Sequence, residues 1–265
     1  MTFSIEDLTP LQRLAVQDMS YSRLDTYQSC PAKYFFTYVV KAPRRFGPAA
    51  AMGTIVHTVL EEADFETLDL DTLKASFFEQ KEIEDPEGEV DEELVDAAMV
   101  LLEEFVDRHD GDEFNILARE MEFEMLIGSC LFRGYIDRVD QERDGSVRVV
   151  DYKTGKWEVA QKNIPANLQL GLYALVAREK FPHLNPVRGE LYYLRSGKRK
   201  SHTYTDDELD DIRAQILGLS KEIIARSEGP GFPHTRNGHT CRNLCDFGKT
   251  GMCKFGANAI SRSYR

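Results

Sequence analysis

Phe132-Arg-Gly-Tyr-Ile-Asp137-Arg-Val-Asp-Gln-Glu-Arg-Asp-Gly145-Ser-Val-Arg-Val-Val-Asp151-Tyr-Lys153-Thr-Gly155 is two runs rich in β-branched and aromatic residues around a short polar break. The break, Arg143-Asp144-Gly145, has the chemistry of a three-residue hairpin loop, because glycine takes the left-handed position without steric cost. That loop places Asp137 opposite Asp151. Lys153 lies two residues further along the strand, hence on the same face. Like charges directly opposite one another destabilise a sheet. A divalent cation between them relieves the repulsion, and oxygen donors of this kind suit magnesium or manganese. The same charges also fit an ordinary solvated hairpin.

Gly-Tyr-Ile-Asp-Arg-Val-Asp followed by Val-Val-Asp-Tyr-Lys-Thr-Gly resembles the central motif of the RecB-like branch of the PD-(D/E)xK nucleases. In that resemblance Asp137 is the first acidic residue, and Asp151-Tyr152-Lys153 is the acidic-x-lysine element. The family implies metal-dependent cleavage of DNA phosphodiesters. Asp137 and Asp151 would hold Mg2+ or Mn2+, the backbone carbonyl of Tyr152 would complete the shell, and Lys153 would orient or activate water.

Upstream, Gly53-Thr-Ile-Val-His57-Thr-Val-Leu-Glu61 reads as a helix with one buried face. His57 alone is an ordinary histidine. The resemblance makes it a metal ligand, since a Gly-x-x-x-His-x-x-Leu-Glu helix precedes the acidic hairpin in these nucleases. Residues 118–131 alternate as a strand, with Glu120, Glu122 and Glu124 on one face. Relatives use a glutamate here to assist the metal, and Glu120 is the choice among three competitors. Downstream, residues 164–180 read as a helix in which Gln169 and Tyr173 share a face. The pair matches the family's Gln-x-x-x-Tyr motif, which lines the site and contacts DNA. Residues 187–204 suggest a strand pair, and Thr205-x-x-Glu208 a capping box opening a helix to about Arg226.

Ser22 with Asp25 suggests an N-cap ahead of Cys30-Pro31. Near the other end, Cys241, Cys245 and Cys253 fall within thirteen residues. Such spacing points to a metal site that lacks one thiolate, with Cys30 and Cys130 as candidates. Ser-x-Leu-x-x-Tyr-x-x-Cys-Pro resembles the opening motif of RecB-like nucleases that carry an iron–sulfur cluster. This resemblance implies a [4Fe-4S] cluster on Cys30, Cys241, Cys245 and Cys253. The intervals of three and seven residues depart from the commoner Cys-x-x-Cys-x5-Cys, and four thiolates also suit zinc. Cys130, in an apolar strand, reads as packing.

Of 265 residues, 42% are apolar and 29% charged, values typical of globular chains. No apolar run reaches the roughly 18 residues of a membrane span. Without an export signal at the N-terminus, the five cysteines suggest the reducing cytoplasm of a bacterial or phage-infected cell. The net charge of −12 argues against coating DNA by bulk electrostatics. Acidic residues gather at 61–113, with basic groups at Lys41-Arg44-Arg45, Lys153-Lys156-Lys162 and Lys198-Arg199-Lys200. Phe247-Gly-Lys-Thr250 ends like a phosphate-binding loop, but Asn243 stands where that loop needs glycine.

The expectation is one α/β domain over 1–265, a mixed sheet flanked by helices. An acidic helical insertion occupies 61–118, and residues 20–40 with 229–260 form the iron–sulfur region. The resemblance is nearest to the CRISPR-associated Cas-four-type exonucleases and their phage relatives. It implies a DNA substrate with single-stranded ends, and recombination or CRISPR proteins as partners. A non-catalytic DNA-binding or structural subunit is the alternative.

Overall fold

The computed structural model describes residues 8–43, 47–109, 115–229, 231–235, 241 and 245–253. Arg44, Arg45, Asn243 and the end of the expected iron–sulfur region lie outside them. The helices are α1 (Pro10–Val16), α2 (Tyr21–Ser29), α3 (Pro31–Tyr34), α4 (Pro48–Glu62), α5 (Leu70–Glu84), α6 (Glu92–His109), α7 (Leu168–Lys180), α8 (Asp206–Glu228) and α9 (Asp246–Lys249). A π-helical turn, Phe35–Val39, extends α3. One sheet has the order β1 (Asn115–Ile127), β2 (Cys130–Gln141), β3 (Val147–Lys153), β4 (Val187–Tyr193), β5 (Lys198–Tyr204). Strands β3 and β4 are parallel, joined through α7, while β2–β3 and β4–β5 are antiparallel. This is the mixed α/β sheet that the motif order implies. Among the described residues no helix is long and apolar enough to cross a membrane.

The hairpin has the expected register. Arg138 pairs with Val150 and Val139 with Val149, and Gly145 turns the chain at φ 84°. The capping box at Thr205 forms in full, with Thr205 N–H donating to Glu208 and Glu208 N–H donating to the Thr205 hydroxyl. One expectation is corrected. The cap of α2 is Ser20, whose hydroxyl accepts from Arg23 N–H; Ser22 lies inside the helix, where its carbonyl accepts from Thr26. Ser20 is followed three residues on by a free first-turn N–H, which is what a cap requires.

The chain divides into two compact units. One comprises Met1–Arg45, Glu124–Gly134 and Arg213–Arg265; the other comprises Phe46–Phe123 and Tyr135–Ile212. In the first, Met19 exchanges backbone hydrogen bonds with Leu131 and Arg133. Tyr27, Tyr34 and Phe35 gather around Phe232, and Phe36 meets Phe247. Cys130 is 1% exposed and serves as packing, its thiol pKa raised by burial.

In the second unit, helices α4–α6 cover one face of the sheet, where Val56, Leu60, Leu102 and Phe105 join Val150, Tyr152 and Tyr192. On the opposite face Gly189 admits Leu170 of α7: a Cβ there would stand 3.2 Å from the Leu170 side chain. The covered face also holds charge. Asp140, wholly buried, pairs with Arg138 at 2.7 Å and Arg148 at 2.8 Å, and Arg148 lies 3.6 Å from Glu190. Removing one member strands the others in a medium that solvates them poorly. Asp140→Ala is therefore expected to lower the unfolding free energy by about 3–5 kcal/mol, measured by urea denaturation.

Candidate metal centre and active site

The proposed site residues that the structure brings together come from α4, β1, β2, β3 and α7, all in the second unit. Backbone pairing between β2 and β3 runs as far as Arg138–Val150. At the next step the Asp137 side chain engages β3, its Oδ2 accepting the Tyr152 N–H at 2.6 Å. The carboxylate is thus fixed at the point where the ladder ends. His57 Nδ1 lies 3.4 Å from the same oxygen, and its ring stands edge-on to Tyr152. Helix α4 approaches β3 closely because Gly53 has no Cβ; one there would sit 3.1 Å from Thr154 Oγ1. His57 is one helical turn beyond Gly53 and so shares its face.

Glu120 reaches the site by a backbone irregularity. Its φ is +39°, in mid-strand and without glycine. Glu122 and Glu124 keep the exposed alternation of β1, whereas Glu120 is half-buried. One ligand atom each from His57, Glu120 and Asp137 lies within 4.8 Å of the other two. Asp151 is outside this group. It is 3% exposed, and its Oδ2 pairs with Lys153 Nζ at 2.6 Å. Lys153 also donates to Gln169 Oε1 at 2.9 Å, and Gln169 Nε2 donates to the Tyr173 hydroxyl at 3.1 Å. Tyr173 is 8% exposed, against Phe123, so its hydroxyl acts on Gln169 from within the fold.

These acids share a poorly solvated space. Burial raises Asp151 to about 6, against the pull of Lys153. Burial also raises Glu120 to about 7, with the charges of Asp137 and Glu61 adding to it. In the sequence Glu61 stands only as the end of the helix motif; its place one turn beyond His57 is the signal that it bears on the site. For His57, burial pulls the imidazole down, but Asp137 outweighs it and the net shift is upward. An imidazole nitrogen with two carboxylates is a donor set for a manganese- or magnesium-type ion.

The cysteines belong to the first unit. Cys30 is the C-cap of α2, and the next turn is tied down by Ala32 N–H donating to Pro233 carbonyl. Cys245 caps α9, and Cys253 N–H donates to Phe247 carbonyl. Cys253 Sγ lies 3.3 Å from His234 Nδ1, and Cys241 Sγ lies 3.8 Å from the Thr235 carbonyl. Among the described residues no three cysteine sulfurs lie within 4.8 Å of one another.

The profile of the PD-(D/E)XK nuclease superfamily matches residues 18–250. An ATP-dependent helicase/deoxyribonuclease subunit from Carboxydothermus hydrogenoformans is 32% identical over 217 residues, covering 63% of this chain and 19% of the relative. The protein of the same name from Clostridioides difficile is 24% identical over 249 residues, covering 75% and 21%. The chain thus spans about a fifth of the length of these curated relatives. A crystal structure of a candidate exonuclease from Eubacterium rectale superposes with a TM-score of 0.55 at 15% identity, covering 93% of this chain and 92% of that one. At that identity the likeness speaks for the fold.

An acid whose pKa is raised on folding binds its proton more tightly in the folded state. Its stabilising contribution is present below its unfolded value, about 4.5, and is lost as pH rises through about 7. In EDTA, Glu120→Gln is therefore expected to gain melting temperature over the wild type by a few degrees between about pH 5 and pH 8. Parallel melting curves across that range are the check.

Proposed function

This chain belongs to the PD-(D/E)XK nuclease superfamily, and from that premise we propose that it hydrolyses DNA phosphodiesters with magnesium or manganese, acting as an exonuclease on ends with single-stranded character. The convergence of His57, Glu120 and Asp137 beside the Asp151–Lys153 pair carries the reading. His57, Asp137 and Asp151 would hold the ion with the Tyr152 carbonyl, and Glu120 would assist. A bound ion of this kind polarises the scissile phosphate and acidifies a water. Lys153 contributes a cation beside the developing negative charge and a donor to orient the attacking water. Gln169, held by Tyr173, fixes Lys153 and would offer its second Nε2–H to the strand.

A [4Fe-4S] cluster on Cys30, Cys241, Cys245 and Cys253 is part of the proposal, with a structural role. Its support is that the four share one unit and that their segments are tied through Pro233 and Phe247. A single zinc ion draws four sulfurs to within about 4 Å of each other by its roughly 2.3 Å bonds. A four-iron cluster holds one thiolate per iron and spaces them wider. The curated relatives are named as subunits of a helicase/deoxyribonuclease, so an ATP-driven helicase is the partner class we favour. Kinship to CRISPR-associated exonucleases and phage proteins rests on motif order alone.

Asp151→Ala and Lys153→Ala are each expected to lower cleavage by on the order of 10²-fold or more, with circular dichroism unchanged. End-labelled linear DNA should be digested and closed circular DNA spared. Wild-type rates in purified Asp151→Ala overturn the assignment. Ser in place of each of the four cluster cysteines should remove iron and visible colour and lower the melting temperature, while Cys130→Ser keeps all three. A colourless wild type with stoichiometric zinc after anaerobic purification would replace the cluster by zinc.

A further inference from the structure

Trp157 is the only tryptophan of the chain and is 93% exposed. A fully solvated indole forgoes one of the largest burial gains available to a side chain, so a loose, unstructured loop would be its ordinary setting. The loop here is neither. At its start, the Lys153 carbonyl accepts from Leu194 N–H at 3.0 Å. Directly after the tryptophan, Glu158 accepts from Ser196 Oγ at 2.9 Å and pairs with Lys198 at 3.2 Å and Lys200 at 2.8 Å. Val159 N–H donates to the Tyr193 hydroxyl at 2.8 Å, and its carbonyl accepts from Lys200 at 2.7 Å. Gln161 donates to the Ser201 carbonyl at 2.9 Å. The segment is pinned to the β4–β5 edge on both sides of a ring left in solvent.

Two further features point to the occupant. Lys156 and Lys162 lie one residue before and five residues after Trp157 in the chain; both are exposed and, among the described residues, without an ion-pair partner. Lys153 is four residues from Trp157, at most about 14 Å along the chain. An aromatic face with unpaired cations beside a phosphodiester site matches the way single strands are held: bases stack on rings, and lysines follow the phosphates. With the backbone pinned on both sides, only the indole's own two torsions remain to be ordered on binding.

We propose that Trp157 is a stacking platform for an unpaired base of the DNA strand at the active site, with Lys156 and Lys162 on the adjacent phosphates. The proposal rests on the nuclease reading above and names the form of DNA that the site takes.

The sole tryptophan reports on itself. Titrating Asp151→Ala protein with a short oligothymidylate should change its emission saturably. Inorganic polyphosphate, which carries charge without bases, should not. On DNA with single-stranded tails, Trp157→Ala should raise KM on the order of tenfold, more than it lowers kcat, and Trp157→Phe should recover most of the loss. Unchanged emission with oligothymidylate, or the same change with polyphosphate, overturns the platform. So does a Trp157→Ala enzyme with wild-type KM, a result that would leave the ring to a protein partner. In each of these cases wild-type cleavage persists, whereas a wild type that cleaves no DNA brings down the nuclease reading itself.

Discussion

The Asp137 carboxylate takes a hydrogen bond that a backbone carbonyl would ordinarily take. Its Oδ2 accepts the Tyr152 N–H where the β2–β3 ladder stops. The end of the ladder leaves the Asp137 carboxylate on the Tyr152 N–H, where its charge adds to the raised pKa of Asp151. The same oxygen lies near His57, so a single atom ties the helix α4 side of the site to the central strand. The rest depends on this anchor: Glu120 converges on it, and Lys153 takes the charge of Asp151 next door.

Charge is sorted by sheet face. Asp137, Asp151 and Lys153 occupy the face on which α7 packs, where Gln169 can reach Lys153. Arg138, Asp140, Arg148 and Glu190 occupy the other, beneath α4–α6. On the second face each acid has an arginine close by, although burial still raises Glu190 against the pull of Arg148 and Arg199. On the first, acids outnumber the single lysine, and Asp151 and Glu120 have raised pKa values, principally through burial. The imbalance is what a cation-binding site requires, and in a metal-free protein it is a standing cost.

The parts legible in the sequence are those whose local chemistry has one solution. A glycine at the left-handed turn position set the hairpin register, and with it the relation of Asp137 to Asp151 and Lys153. Helical spacing put Gln169 beside Tyr173, and Thr205 with Glu208 formed the cap that their separation allows. Nothing in the residue type of Glu120 marks a positive φ in mid-strand, and only the kink separates it from Glu122 and Glu124. The Arg138–Asp140–Arg148 network was illegible for a related reason. Alternating charges on a strand look the same whether water or a helix layer covers them, and coverage by α4–α6 is a tertiary fact. Ser20 and Ser22 both suit a cap, and the choice fell to the one whose hydroxyl could reach Arg23 N–H. The division into two units joins segments far apart in the chain, which no local pattern encodes.

A net charge of −12 sets a constraint on any use of DNA. Proteins that hold duplexes by phosphate neutralisation spread lysine and arginine over a broad face. Here many cations are already paired: Lys198 and Lys200 with Glu158, Arg188 with Glu142, Arg178 with Asp206. Long-range attraction is then weak, and recognition has to come from short-range contacts near the chemistry. Stacking and metal coordination are both of that kind, and both survive in a repulsive field because they act at contact distance. An acidic nuclease of this design would discriminate poorly by charge and strongly by whether a strand end can be opened and laid into the site. The cost of unstacking an end is least where the DNA is already single-stranded, so under the proposed exonuclease reading the same charge balance would favour frayed or tailed ends.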